Sequence, residues 1–286
     1  MPLTRLVLVS GKGGTGKSAV AAATALDFAR RGHRVLAIDM LGQAGLAAHL
    51  RSSKLQYAPT EVRPGLFAMT MSRSDALDEY LKVQLHVPHG APTRQISAAL
   101  AVLADTAPGV REIISIGKPI AEARTGKWDV VVVDAPSLGQ FQSYLRAPRI
   151  IAELVPTGNV RRLARRLEEI LLDGHVTSIQ LVATPAELPI LETTEAIASI
   201  KDDKLGPEPM VALNRVLTES GMAEPDLGLL GSGPLLEAAR LQLDLETEQS
   251  RWANALEHSV TLPYLFGVFT PGEVAEQLAD RIGSPL

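Results

Sequence analysis

The chain has 286 residues, with 28 Lys or Arg against 32 Asp or Glu, a formal net charge of −4 and no cysteine. This length allows one large α/β domain or two small ones, each with a sizeable core. The absence of cysteine excludes disulfides, thiolate metal sites, iron–sulfur clusters and a cysteine nucleophile, and is compatible with a reducing compartment. A mildly acidic charge with 4% aromatic residues argues against a nucleic-acid partner.

The first fourteen residues contain one Arg and a short apolar run that ends in glycines and lysines. A signal peptide needs a longer apolar core and a small-residue cleavage site. Elsewhere no uninterrupted apolar stretch approaches the roughly 18–20 residues of a membrane span. We therefore expect a cytoplasmic protein without an integral membrane segment.

Short β-branched or aliphatic runs alternate with longer helix-like stretches along the chain, which is typical of βαβ units with right-handed crossovers. The fourth run, DVVVVD, indicates a central strand that is covered on both faces. The seven predicted strands are Arg5–Ser10, Arg34–Asp39, Leu66–Met71, Asp129–Asp134, Ser178–Thr184, Pro209–Val216 and Val260–Leu262. These elements predict an α/β fold with one doubly wound, mostly parallel sheet, in a single domain over residues 1–286.

The long segment between the third and fourth strands, about residues 72–127, is predicted to be a helical elaboration of this domain. Leucines at 77, 81 and 85 recur on one face of a predicted helix. A second helix is predicted over Val110–Arg124, with a kink at Pro119 and a stop at Gly126. Further along, Gly221–Gly233 is predicted to be a mobile loop, and Pro271–Ile282 a helix.

The first predicted strand leads into SGKGGTGKS at residues 10–18, which satisfies G-x-x-x-x-G-K-[ST] from Gly11 to Ser18. An Ala-rich helix, Ala19–Arg31, follows directly. Such glycines let backbone N–H groups surround phosphate oxygens, and the helix N-terminus adds partial positive charge. We expect Lys17 to reach the β- and γ-phosphates and the Ser18 hydroxyl to bind Mg²⁺. The predicted nucleotide-binding residues here are Gly11, Lys12, Gly13, Gly14, Thr15, Gly16, Lys17, Ser18 and Ala19.

Lys12 carries a more specific resemblance. The string KGGTGKS resembles the deviant Walker A signature of the ArsA, MinD and ParA ATPases. In that family the additional lysine reaches across a dimer to phosphates bound by the other subunit. The resemblance therefore implies an ATPase that binds ATP or ADP with Mg²⁺ and for which nucleotide binding and dimerisation are one event. The alternative is that Lys12 is a solvated loop lysine.

Asp134 ends the valine strand, where a carboxylate could hold Mg²⁺, directly or through a water. Acidic residues at the ends of buried strands are costly unless a cation or hydrogen-bond donors match them. The following segment, Ala135–Gln142, would then be a nucleotide-sensing switch. A purely structural carboxylate is the alternative.

The longer segment Asp134–Pro148 resembles the second switch of the ArsA branch of this superfamily, and the resemblance extends over nearly the whole chain. Asn214 matches the position at which relatives contact the adenine edge, although a loop asparagine after a strand is more often a turn residue. The segment Leu262–Tyr264, which includes Pro263, resembles the adenine-side loop. Other segments similar to the family are Pro108–Lys118 and Thr184–Thr193.

One catalytic position departs from the family. Relatives usually carry an Asp two residues beyond the acid that ends the second strand, where it positions the attacking water. Here Asp39 is retained, and with Lys12 and Lys17 it forms the predicted catalytic set, but Leu41 occupies the water-positioning place. Because such residues contribute about 10²–10⁴ in rate, we expect slow hydrolysis unless Gln43, Gln140 or a partner subunit supplies the group.

The missing cysteines also exclude arsenite binding by thiolates, on which the arsenite-pump relatives depend. His86 and His89 could bind a metal, but two His in a Pro/Gly loop are more typical of turn residues. The apolar positions of the helical elaboration are compatible with a client groove or with ordinary core.

Two functions remain open. One is a Mg-ATP-dependent dimeric switch ATPase acting on an unidentified protein client. The other is a weakly hydrolytic nucleotide-binding subunit that pairs with a paralogous ATPase. A small-molecule kinase would need a substrate clamp that the sequence does not reveal.

Overall fold

The computed structural model describes residues 4–72, 74–76, 79, 109–267 and 269–282. Their strands form one eight-stranded sheet in the order β3-β4-β2-β5-β1-β6-β7-β8, parallel except for the antiparallel pair β3–β4. The strands are β1 (Arg5–Gly11), β2 (Val35–Asp39), β3 (Thr60–Arg63), β4 (Leu66–Thr70), β5 (Val130–Ser137), β6 (Thr177–Ala183), β7 (Met210–Val216) and β8 (Val260–Pro263).

Helices cover both faces of this sheet. Alanine-rich α1 (Lys17–Arg30) follows β1, as its high helix propensity leads one to expect. Helix α8 (Pro271–Ala279) begins at a capping box in which Thr270 and Glu273 bond reciprocally. In the described part of the chain, no helix has the length and apolar character needed to cross a membrane. The helices are α1 (Lys17–Arg30), α2 (Ala44–His49), α3 (Val110–Ala123), α4 (Leu138–Leu154), α5 (Asn159–Leu172), α6 (Glu187–Asp202), α7 (Pro234–Ala253) and α8 (Pro271–Ala279).

The core has two main layers, one on each face of the central strands. Alternate residues of β1 divide between them: Val7 and Val9 pack with α1 and α8, whereas Leu6 and Leu8 pack with α3, α4 and α5. The valine run of β5 is buried on both faces in the same way, as a central parallel strand requires. This arrangement confirms the predicted doubly wound α/β fold.

All seven predicted strands are present, with ends that move by a few residues, but the edge strand β3 was not among the predicted elements. It pairs with β4 through the turn Pro64–Gly65, where Gly65 has φ 75°. The strand is short and has no buried residue, so it lacks the apolar run by which the others were recognised. The Pro-Gly dipeptide between two β-compatible runs was the signal available for it.

The other predicted elements are present in part. The helix predicted over Val110–Arg124 is α3, which continues through Pro119. The predicted loop Gly221–Gly233 instead contains a 3₁₀-helix, Glu224–Leu230, whose first turn is closed by the Asp226 carboxylate accepting from the Ala223 N–H. The leucines at 77, 81 and 85 and both His86 and His89 lie outside the described residues.

Candidate functional site

The phosphate loop joins β1 to α1 at the carboxyl end of the central strand. Two of its glycines are required by close packing. A Cβ on Gly11 would lie 2.2 Å from the Val182 carbonyl oxygen, and a Cβ on Gly16, at φ 94°, would lie 2.4 Å from Asn214 Nδ2. Side chains at these two positions would push the loop away from β6 and β7, so the glycines fix the position of the loop over the sheet.

Hydrogen bonds within the loop converge on the Lys12 carbonyl oxygen. It accepts from Thr15 Oγ1 at 2.9 Å and from Lys17 Nζ at 3.2 Å. Thr15 is itself buried, and its carbonyl oxygen accepts from Asn214 Nδ2 at 2.8 Å. The loop is therefore folded and fastened to β7 by side chains of the protein itself.

Lys17 lies at the start of α1, where burial lowers the pKa of its ammonium group and the nearby Asp134 carboxylate opposes that shift. A buried ammonium group is stabilised by added negative charge. Since the helix N-terminus also favours anions, this end of α1 suits phosphate groups.

Two carboxylates lie next to each other where the carboxyl ends of two central strands meet. Asp39 ends β2 and Asp134 lies near the end of β5, and the two are partners in the parallel register. Burial, with a smaller contribution from the charge of Asp39, raises the pKa of Asp134 to about 6, although a hydrogen bond from Ser18 and the charge of Lys17 act in the opposite direction. The site thus holds two acidic groups that are short of positive charge.

Asp39 is held by its surroundings. Its Oδ1 accepts from the backbone N–H groups of Leu41 (2.9 Å) and Gly42 (3.0 Å), and its Oδ2 accepts from Thr70 Oγ1 (3.3 Å). Burial raises its pKa, and these hydrogen bonds offset part of that shift. Thr70, which ends the neighbouring strand β4, was not among the predicted site residues, although its place at a strand end beside Asp39 was available as a signal.

The oxygen donors around Ser18 fit a magnesium ion. Ser18 donates to Asp134, and Gly45 at the start of α2 approaches so closely that a Cβ there would lie 2.8 Å from Ser18 Oγ. Over the described ranges, no group of three or more His, Asp or Glu could enclose a metal. Mg²⁺ is usually bound by one or two carboxylates together with substrate phosphates and water, and the Ser18 hydroxyl with the Asp134 carboxylate fits that pattern.

Leu41 borders a cavity of about 300 Å³ between the carboxyl ends of β2 and β4 and the helices α3 and α4. Its side chain is 40% exposed. Gln140, in the first turn of α4, lines the same cavity and donates through Nε2 to the Tyr144 hydroxyl at 3.4 Å. Gln43 is exposed at the N-cap of α2. Of the two glutamines named as substitutes for an aspartate, Gln140 is the one that shares this cavity with Leu41.

The predicted adenine-side residues lie on β7 and β8. Pro263 ends β8, opposite Val216 of β7 in the register. Next to it, the rings of Tyr264 and Phe266 lie 4.9 Å apart and are 44% and 64% exposed. Asn214 is buried with its amide on the loop, so it anchors the loop; contact with a base remains a prediction for it and for Pro263.

Lys12 has a partner that was not identified from the sequence. Its ammonium group forms an ion pair with Glu192 of α6. Glu192 belongs to the segment Thr184–Thr193, which was recognised only as similar to the family. The sequence offered no further signal, because the two residues are 180 positions apart.

Comparisons with known proteins agree with this geometry. The model of the anion-transporting ATPase family matches residues 4–163, more than half of the chain. The ATPase BagA of Mycobacterium tuberculosis is 28% identical over 289 residues, covering 96% of this chain and 84% of its own. A protein provisionally named arsenical pump-driving ATPase in Prosthecochloris vibrioformis is 27% identical over 145 residues, covering 50% of this chain and 36% of its own. An uncharacterised protein of Streptomyces coelicolor is 33% identical over 169 residues, 57% of this chain and 40% of its own. With its glycine loop, its loop lysines and its strand-end carboxylates, the chain belongs to the anion-transporting ATPase family.

Proposed function

We propose that the protein is a Mg-ATP-dependent switch ATPase that works as a dimer and couples its nucleotide state to a protein client. The second subunit is another copy of this chain or a paralogous ATPase. The observation that carries the proposal is the meeting of Lys17, Ser18 and Asp134 at the end of the glycine loop. An ammonium group, a hydroxyl and a buried carboxylate at one point provide for a phosphate chain and its cation.

Each group has a role in this proposal. Backbone N–H groups of the loop and the Lys17 ammonium hold the phosphates. Ser18 and Asp134 would hold Mg²⁺, and a bound ion would supply positive charge to offset the charge that develops on the phosphates. Asp39, fixed by the N–H groups of Leu41 and Gly42, adds negative charge next to Asp134 and so favours a bound cation.

The switch would follow from how Asp134 is connected. Strand β5 continues past Asp134 to Ser137, and α4 begins at the next residue. A small displacement at the metal site would therefore be passed directly to α4, whose first turn carries Gln140 and borders the cavity beside Leu41. This gives the nucleotide a route to a surface that a client could contact.

Lys12 supports the dimeric form of the proposal. Its ammonium group pairs with Glu192, while Lys17 donates into the loop. The two loop lysines thus differ in their surroundings, with Lys17 turned inward and Lys12 paired with a neighbouring helix. This difference supports a role for Lys12 in contact with a second subunit.

The second candidate function is a weakly hydrolytic subunit, and Leu41 is the observation that favours it. Its aliphatic side chain lies at the cavity edge, where it can neither orient nor deprotonate a water. In that case nucleotide would regulate assembly with a paralogous ATPase, and turnover would come from the partner.

Phosphate release at saturating Mg-ATP tests the proposal and separates the two functions. An active ATPase is expected to show turnover that EDTA removes and that the Lys17→Ala variant lacks. A weakly hydrolytic subunit is expected to bind ATP without turnover. Turnover that persists in Lys17→Ala would contradict the assigned site.

Arsenite transport by thiolates is not part of the proposal, because the chain has no cysteine. The arsenical-pump name of some relatives is therefore taken to describe those proteins and is not carried over to this chain. A cytoplasmic location is part of the proposal, since a chain without cysteine is compatible with a reducing compartment.

A further inference from the structure

The backbone and the side chain of Lys12 are held by different neighbours. The carbonyl oxygen accepts from Thr15 Oγ1 and Lys17 Nζ, which ties the backbone to the interior of the phosphate loop. The ammonium group is instead paired with Glu192. The loop therefore fixes the start of the side chain, and Glu192 fixes its end.

Glu192 lies on a helix that is packed against the core. Helix α6 follows β6, the neighbour of β1 in the sheet, and its Ile190 and Thr193 are buried. Leu188 and Leu191, which precede Glu192 by four residues and one residue, are 61% and 47% exposed. Glu192 thus lies on the outer side of an anchored helix, on a surface that is open to a second molecule.

We propose that Glu192 is a latch that holds Lys12 while nucleotide is absent. This inference depends on the proposed function, in which Lys12 contacts phosphates bound by a second subunit. Glu192 lies on α6 of the same chain and the phosphates would lie on the second subunit, so the two compete for the Lys12 ammonium group. The latch lowers the tendency of the nucleotide-free chain to dimerise and sets the nucleotide concentration at which dimers form.

The exposure of the pair makes such a latch easy to open. The Lys12 and Glu192 side chains are 28% and 43% exposed, and exposed ion pairs are weak. A nucleoside triphosphate with its several negative charges is a stronger partner for the ammonium group than one solvated carboxylate. The expected effect of removing the latch is therefore moderate, about two- to fivefold in the nucleotide requirement.

Sedimentation velocity over a range of Mg²⁺ and AMP-PNP concentrations tests the latch in the intact chain. We expect Glu192→Gln to form half-maximal dimer at about two- to fivefold lower nucleotide than the wild type. Glu195→Gln is the matched control, because it removes the same charge from an exposed position on the same helix; its midpoint is expected to equal that of the wild type. Lys12→Ala is expected to stay monomeric, and adding Glu192→Gln to it is not expected to restore dimers.

The outcomes distinguish the latch from the dimer itself. An unchanged or raised midpoint in Glu192→Gln, or an equal shift in Glu195→Gln, overturns the latch while leaving a nucleotide-dependent dimer in place. Dimers formed by the double variant overturn the requirement for Lys12 and, with it, the latch. Absence of dimer in both the wild type and Glu192→Gln overturns the dimeric function and the latch together. A dimer in Glu192→Gln alone supports both.

Discussion

Replacing Asp134 by Asn is expected to stabilise the nucleotide-free protein at neutral pH. The native carboxyl group has a pKa raised to about 6 from an ordinary value of 3.8, chiefly by burial. The carboxyl group therefore holds its proton more tightly in the folded state than in the unfolded state. At a pH above that raised pKa, the ionised group opposes folding. Asparagine has nearly the same shape, can accept the Ser18 hydrogen bond and carries no charge.

The size of this effect follows from the pKa shift. About two pKa units at about 1.4 kcal/mol each give an upper bound of roughly 3 kcal/mol. Lys17 loses a carboxylate partner in the variant, so we expect a gain of about 1–3 kcal/mol in the free energy of unfolding. The gain should be small near pH 4, grow between about pH 4 and 6, and remain constant above that range.

Urea unfolding in EDTA measures this free energy as a function of pH. Asp244→Asn, at an exposed position of α7, is the control for removing one negative charge. The same Asp134→Asn variant is expected to lose much of the stabilisation by Mg-ATP, because the carboxylate that we propose to hold the metal is gone. An Asp134→Asn variant that is no more stable than wild type at pH 7.5 would refute the assignment of Asp134 as an unfavourably buried acid.

Three further substitutions test other parts of the site. Leu41→Asp is expected to raise phosphate release by about 10²-fold; an unchanged rate in that variant, or rapid turnover by the wild type, would remove Leu41 as the cause of slow hydrolysis. Gly16→Ala is expected to destabilise the fold by about 1–3 kcal/mol, because its Cβ would collide with Asn214. Gly14→Ala, with a similar φ and open space around it, should cost less. Equal losses in the free energy of unfolding, measured with urea, would contradict the packing argument. Lys17→Ala is expected to lower kcat/KM for ATP by at least about 10²-fold, and steady-state kinetics with near-normal values would exclude the phosphate role.

Most of the sheet was predictable because its central strands are buried on both faces and therefore show as continuous apolar runs. The valines of β5 are the plainest case, since no other element tolerates four consecutive valines between acids as readily. The edge strand β3 was not predicted, because Thr60–Arg63 has no buried residue. Edge strands are held by pairing more than by burial, and pairing leaves little pattern in a single sequence.

The features of the site also divide into those that the sequence predicts and those that it does not. The loop from Gly11 to Ser18 has a fixed local spacing, so roles for its lysine and its hydroxyl could be predicted from the sequence alone. Contacts between distant segments could not be, because nothing in the sequence pairs Lys12 with Glu192 or Asn214 with Thr15. Asn214 illustrates the difference: its position in the chain predicts a base contact, which stays a prediction, whereas the bond from its amide to Thr15 is seen only in the fold.

The central claim is that binding of the nucleoside triphosphate causes dimerisation and that this coupling depends on Lys12. Sedimentation velocity of the wild type and Lys12→Ala, each with Mg²⁺ and AMP-PNP, and each with Mg²⁺ and ADP, tests it most directly. We expect the wild type to become dimeric with AMP-PNP and to stay monomeric with ADP, and Lys12→Ala to stay monomeric with both while still binding nucleotide. A wild type that binds AMP-PNP and remains monomeric, or a Lys12→Ala variant that dimerises as the wild type does, would contradict the claim.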